Sequence, residues 1–260
     1  MSNARTTASR STEAADRLRL LDAFYTDFDE DLPFWFGMAQ RFGGPVLELG
    51  SGSGRVLRPL AEAGLQVVGV DHDPLALRKT QRLLELTASI RVGLIQAELP
   101  NLPLGGAFPL TIVPCNTFAY FDDAATAALL RAVRRLLPPG AGLALDLPGP
   151  AAASDVAPGA SWHDRFEEPA TGSQVEVSAH QGSPETAGAV PVVWQFDELL
   201  PDGHTVRHRF ELRYYPRSPD ALQRLLEPAG FRLAETFGGY DGRPYLEEEP
   251  TLLVLALAVA

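Results

Sequence analysis

The stretch Val46-Leu47-Glu48-Leu49-Gly50-Ser51-Gly52-Ser53-Gly54-Arg55 decides the fold. Its apolar start reads as a buried strand, its three alternating glycines as a tight loop, and the segment from Ser53 onward as a helix. Further on, Val67-Val68-Gly69-Val70-Asp71 reads as a second strand ending in a carboxylate. A glycine loop followed by an acid at the end of the next strand is a way of holding a nucleoside. The glycines let backbone approach the ligand, and the carboxylate accepts two ribose hydroxyls.

Three kinds of nucleoside cofactor use such a loop. A P-loop requires Gly-Lys-Ser or Gly-Lys-Thr, with the lysine on phosphate. Here Gly54 is followed by Arg55 and Val56, which excludes it. The dinucleotide fingerprint G-x-G-x-x-G is met by Gly50 and Gly52 but broken by Arg55, where a glycine would allow close helix–strand packing. The spacing present is E-x-G-x-G-x-G, starting at Glu48.

That spacing resembles motif I of the class I S-adenosylmethionine (SAM) methyltransferases. The resemblance implies that Glu48, Gly50, Ser51, Gly52 and Gly54 hold the methionine portion of SAM, and that Asp71 holds the ribose. It places His72 over the adenine and matches Gln96-Ala97-Glu98-Leu99 to the acidic loop near the adenine amino group, with Glu98 where Asp is commoner. Leu110 to Thr117 resembles motif IV, the fourth strand running into the active-site loop, which puts Pro114 and Asn116 at the reaction edge. Leu136-Leu137-Pro138-Pro139-Gly140-Ala141-Gly142-Leu143 is similar to the L-x-P-G-G turn before the fifth strand. These features keep family order within residues 45–147. Read singly they have plainer meanings. Asp71-His72-Asp73-Pro74 also reads as a helix start with proline at its first position. Asp73 can cap while Asp71 faces the ligand.

The 260-residue chain is long enough for one large α/β domain with an insertion, or for two small domains. Its net charge of −11 disfavours broad contact with nucleic acid or anionic membrane. The basic groups Arg131, Arg134, Arg135 and Arg207, Arg209, Arg213 read as solvated faces. A single cysteine, Cys115, rules out an intrachain disulfide and suits a reducing cytoplasm. The polar start of the chain carries no apolar signal core, and the apolar tail Thr251–Ala260 is too short to span a bilayer. A cytoplasmic enzyme is the expectation.

Strands are expected at 45–49, 66–70, 90–95, 109–114 and 141–147, with helices over 53–63, 74–87 and 123–137. The alternation implies a parallel sheet covered on both faces, whose ligand lies beyond the carboxyl ends of its strands. Residues 1–42 divide into a tail, disordered over 1–11 by composition, and a helical cap carrying Leu18, Leu21, Tyr25 and Phe28. In enzymes of the family such a segment covers the cofactor, so Tyr25 is a candidate contact. The SAM-binding core occupies 43–147. Residues 148–217 change period: three alternating segments, 174–180, 190–199 and 204–215, form an antiparallel lid with a turn at Pro201-Asp202-Gly203. The core resumes over 218–260, with a helix and two closing strands. The expected fold is a Rossmann-like, seven-stranded mixed sheet with helices on both faces, an N-terminal helical cap and a β insertion after strand five.

Methyl transfer is an in-line displacement at an activated carbon, so it requires positioning first, and a base only where the nucleophile arrives protonated. The D/N-P-P-Y motif of enzymes that methylate exocyclic base amines is missing; Val113-Pro114-Cys115-Asn116-Thr117 stands instead. Pro114-Cys115 superficially matches the nucleophile of cytosine C5 enzymes, but the rest of that class is missing, and Cys115 reads as a small loop residue. Tyr120, Trp162, His163, Arg213 and Tyr240 are candidate substrate contacts; Tyr120 also reads as the start of a helix, Tyr240 as part of a flexible loop, and His163 more readily as a surface or sheet residue. His204 and His208 lack a third ligand at metal spacing, so no metal is expected. The layout resembles glycine or sarcosine N-methyltransferases and sugar N,N-dimethyltransferases. This implies a small-molecule acceptor methylated on nitrogen or oxygen, by a monomer or a homodimer. The rivals are a protein or RNA methyltransferase and a SAM-binding regulator without turnover.

Overall fold

The computed structural model describes residues 2–85, 91–154, 161–185 and 188–260. In chain order come α1 (Ser2–Phe24), α2 (Leu32–Phe42), β1 (Val46–Leu49), α3 (Leu57–Glu62), β2 (Val67–Asp71), α4 (Pro74–Glu85) and β3 (Val92–Gln96). Then come β4 (Leu110–Val113), a 3-10 turn (Thr117–Tyr120), α5 (Asp123–Arg134), β5 (Gly142–Pro148) and α6 (Pro150–Ser154). The rest are β6 (Ser161–Glu168), β7 (Ser173–Gln181), β8 (Val190–Leu199), β9 (Thr205–Tyr214), α7 (Pro219–Leu226), β10 (Phe231–Phe237) and β11 (Thr251–Ala258). The chain divides into two compact units. One comprises Met1–Phe28, Val156–Glu185 and Val190–Arg213; the other comprises Asp29–Asp155, Thr186–Ala189 and Tyr214–Ala260.

The larger unit is built on a seven-stranded sheet in the order β10-β11-β5-β4-β1-β2-β3. β3, β2, β1, β4 and β5 run parallel; β11 pairs antiparallel with both β5 and β10. The near-continuous apolar strands are explained by burial on both faces. Successive side chains alternate between two cores. Leu47 and Leu49 pack with Leu129, Val133, Leu222 and Leu226 of α5 and α7. Val46 and Ile112 pack with Trp35, Met38, Leu57 and Leu60 of α2 and α3. Each such side chain, fully buried, contributes about 1.5–3 kcal/mol against exposure. Asp122 caps α5 by accepting from the Ala125 N–H, and Ser218 caps α7 by accepting from the Ala221 N–H. α3 starts at Leu57, four residues after the expected start, because Gly50, Gly52 and Gly54 all have positive φ and keep the chain in a loop.

The smaller unit is a four-stranded antiparallel sheet, β6-β7-β8-β9. Leu20 of α1 is fully buried in its apolar cluster with Val175, Val177 and Phe196. Two sequence expectations are corrected here. The insertion has four strands, since β6 pairs along its whole length with β7, from Ser161 opposite His180 to Glu168 opposite Ser173. Its sequence, Ser-Trp-His-Asp-Arg-Phe-Glu-Glu, lacks clean apolar alternation, and backbone pairing alone reveals it. The first residues also continue α1 back to Ser2, where composition pointed to disorder.

Candidate functional site

In the larger sheet, β1 and β4 are neighbours from which the chain proceeds in opposite directions, to β2 and β3 on one side and to β5 on the other. Such a switch point opens a crevice beyond the carboxyl ends of the strands. Gly50, Asp71 and Pro114 all emerge there, directly from β1, β2 and β4.

The glycine loop is held by backbone. The N–H groups of Gly50 and Ser51 donate to the Val70 carbonyl at 2.8 and 3.1 Å, and that of Gly54 donates to the Ser51 carbonyl at 2.9 Å. Its glycines have different reasons. A Cβ on Gly50 would lie 2.5 Å from the Thr117 methyl, and one on Gly54 would lie 2.8 Å from that of Thr80. A Cβ on Gly52 would meet nothing within 4 Å. Gly50 and Gly54 thus serve internal packing, while Gly52, at φ +52°, presents bare backbone to open space.

Asp71, almost buried, ties the loop to β2. One carboxylate oxygen accepts from the Gly52 N–H at 2.7 Å, the other from the Asp73 N–H at 2.9 Å. Burial alone would raise its pKa, but the bonds from His72, Asp73 and Gly52 outweigh burial and hold it below the ordinary value. His72 Nδ1 lies 3.4 Å from Asp71, and this contact raises the imidazole pKa. Asp73 accepts from the Leu75 N–H at 2.8 Å, so it caps α4 while Asp71 stays with the loop. Glu98 is exposed just past β3.

The third part is the Pro114–Asn116 turn. Cys115 and Asn116 are consecutive non-glycine residues with φ +59° and +58°. This left-handed conformation is costly for such residues. Asp146 of β5, with no exposed surface, compensates: its carboxylate accepts from the Cys115 N–H at 3.1 Å and the Asn116 N–H at 2.7 Å. The Tyr240 hydroxyl donates to the same carboxylate at 2.6 Å. Behind the turn, Arg55 makes two bonds to buried Asp31, at 2.7 and 2.6 Å, and one to Cys115 Sγ at 2.7 Å. Trp35 Nε1 completes Asp31 at 2.8 Å. Arg55, which breaks the dinucleotide fingerprint, therefore turns aside to bind Asp31, which precedes α2.

Asp31 and Asp146 escaped the sequence reading. Asp31 sits in the run Asp29-Glu30-Asp31, which looks like a solvated helix start. Asp146 carried a signal, an acid inside the apolar run Leu143-Ala144-Leu145-Asp146-Leu147. The other candidates scatter. Tyr120, in the 3-10 turn, is 40% exposed and packs its ring 5.2 Å from that of Tyr214. Tyr240 is occupied with Asp146. Tyr25, Trp162, His163 and Arg213 belong to the smaller unit. There Tyr25 and Trp162 pack on Phe24, His163 lies edge-on to His180, and Arg213 pairs with Glu185 and Glu211. Among the described residues no group of three or more His, Cys, Asp or Glu is placed to hold a metal ion. Nor, among them, is any helix long and apolar enough to cross a membrane.

Two buried polar atoms beside the glycine loop lack a protein partner: Glu48 Oε2 and Ser51 Oγ. Burial raises the Glu48 carboxyl pKa well above its usual value, Arg55 opposing and Asp31 and Asp71 adding. Orphaned polar atoms next to the bare Gly52 backbone fit a ligand with a polar, charged end.

Residues 46–140 match a family described as a methyltransferase domain. Among solved structures, the CcbJ methyltransferase from Streptomyces caelestis superposes with a TM-score of 0.75 at 21% identity, covering 88% of this chain and 96% of that one. A SAM-dependent methyltransferase from Clostridium acetobutylicum gives 0.78 at 14%, covering 92% and 96%. CalS10, an amino pentose methyltransferase from Micromonospora echinaspora, gives 0.71 at 18%, covering 96% and 97%. A search of curated proteins finds no match. The sheet order is that of a Rossmann-like fold, which these solved methyltransferases share. Between β1 and the turn before β5 the chain matches a methyltransferase domain.

Proposed function

We propose that this enzyme transfers a methyl group from SAM to a nitrogen or oxygen of a small-molecule acceptor. The observation that carries this reading is the loop at the switch point. Gly52 presents bare backbone there, Asp71 is tied to it, and Glu48 and Ser51 keep polar atoms unsatisfied beside it. SAM is the cofactor. In our assignment Glu48, Gly50, Ser51, Gly52 and Gly54 surround its methionine portion. Asp71 has lone pairs left for the ribose hydroxyls, and His72 and Glu98 flank the adenine. Pro114 and Asn116 form the reaction edge.

When bound, SAM supplies a methyl group activated by a sulfonium. Transfer forms a bond from the acceptor nitrogen or oxygen to that carbon and breaks the carbon–sulfur bond. A thioether is left, and the acceptor's proton passes to solvent or a base. The protein's share is alignment and exclusion of water. A small acceptor is favoured by the charge of −11, which opposes nucleic acid, and by structural neighbours described as sugar N-methyltransferase (KedS8) and amino pentose methyltransferase (CalS10). The single cysteine fits a cytoplasmic setting.

The test is calorimetric titration with S-adenosylhomocysteine, NADH and NADPH serving as controls, and then a panel of small amines and alcohols with labelled SAM. Selective binding of the homocysteine and methylation of a panel member support the proposal. Tight NADH binding overturns it.

A further inference from the structure

We propose that Asp146 and Tyr240 act as a positioning pair that sets the Pro114–Asn116 turn, and with it the direction from which the acceptor meets the methyl group. This rests on reading that turn as the reaction edge.

Register fixes the placement. Val113 of β4 pairs with Leu145 of β5, so Asp146 lies one step on, level with the start of the turn. Two successive backbone N–H groups can converge on one carboxylate only if the chain curls tightly around it. Cys115 and Asn116 do so by adopting the left-handed region together. Each such residue costs on the order of 1–2 kcal/mol, a penalty that persists only where the surroundings over-determine it. Charge-assisted bonds to Asp146 supply that constraint. Tyr240 adds the third bond from the loop after β10, its ring braced at 6.2 Å from Phe34 and 6.4 Å from Trp35. The turn continues into Thr117, whose side chain fills the space a Gly50 Cβ would occupy. The position of the turn is therefore keyed to the glycine loop, while Asp146 is spent on backbone and phenol. Positioning, with no contact to the reacting atoms, is the role left to it.

Cys115, the chain's one cysteine, is a built-in reporter. Cys115 is exposed, but desolvation around its sulfur pushes the thiol up to about 12, Asp146 and Asp31 adding and Arg55 opposing. Cys115 in the intact protein should thus alkylate slowly with iodoacetamide. In Asp146→Asn one amide N–H faces an NH2 group, and alkylation should accelerate about tenfold, the equivalent of one charge-assisted bond. Tyr240→Phe keeps the ring and should give a smaller rise. The double variant should be no faster than Asp146→Asn, because the two changes break one network. The amide proton resonances of Cys115 and Asn116 should move upfield in Asp146→Asn, while affinity for S-adenosylhomocysteine holds within about threefold. Parent-like alkylation in both single variants, or additive effects in the double, would overturn the pair. If Asp146→Asn fails to fold, Tyr240→Phe alone decides: unchanged alkylation and amide shifts sink the proposal. If the parent does not bind S-adenosylhomocysteine, the functional reading fails, while alkylation and amide shifts still judge the pair.

Discussion

The carboxylate of Asp71 accepts the backbone N–H of Gly52 at 2.7 Å, so the acid at the end of β2 and the central glycine of the loop form one unit. In the proposed site, a ligand at Gly52 would meet a backbone already oriented by Asp71. Replacing Asp71 by alanine removes the ribose contact proposed above and also frees two N–H groups. Asp71→Ala should weaken S-adenosylhomocysteine binding by at least about tenfold, and lower unfolding free energy by about 1–3 kcal/mol. Calorimetry and urea unfolding on the same preparation check both; unchanged affinity would remove Asp71 from the cofactor site.

Gly50 and Gly52 should separate stability from binding. Gly50→Ala drives a Cβ to 2.5 Å from Thr117 at φ +71°, whereas Gly52→Ala meets nothing within 4 Å. The first should lower the thermal midpoint strongly. The second should cost about 1–2 kcal/mol for its left-handed backbone, and lose S-adenosylhomocysteine affinity because its new methyl occupies the ligand's side. Equal losses of stability in the two would contradict the division of roles.

Arg55 and Asp31 form a pair in which Asp31 has no exposed side-chain surface and Arg55 is 19% exposed. Arg55→Ala strands a buried carboxylate and should destabilise by about 3–5 kcal/mol, whereas the double variant Asp31→Leu/Arg55→Met should recover much of that. Denaturant midpoints measure it; a loss under about 1 kcal/mol for Arg55→Ala would make the pair a surface-like contact.

Asp146 predicts a pH dependence with a definite sign. Burial pushes its pKa from 3.8 up to about 6, against the hydrogen bonds from Tyr240, Asn116 and Cys115. Between those values the folded chain keeps a proton that the unfolded chain has released, so this group's contribution to stability falls as pH rises through the window. Asp146→Asn should remove that contribution. Unfolding free energies at pH 4, 5 and 6 test it, and identical slopes in parent and variant would reject it.

The glycine loop, the acid of β2 and the order of the core strands were all legible in the chain. Each is a local pattern: a buried parallel strand is apolar throughout, and a backbone that must turn with positive φ takes glycine. β6 was not legible, because its pairing with β7 relies on backbone bonds that its polar residues do not advertise. Asp146 left a trace as an acid in an apolar strand, but its partners lie about thirty and ninety positions away along the chain.

By itself, then, the sequence determined the glycine loop, its resemblance to methyltransferase motif I and the parallel strands around it, since spacing along the chain expresses them directly. Only the tertiary structure decided which glycines are packed against neighbours and which one faces open space. It also decided that Arg55 answers Asp31, and that Asp146 and Tyr240 hold two residues in a conformation neither would choose alone. Those are meetings of distant residues in a buried, low-dielectric crevice, where each polar group must find a partner and local spacing does not say which.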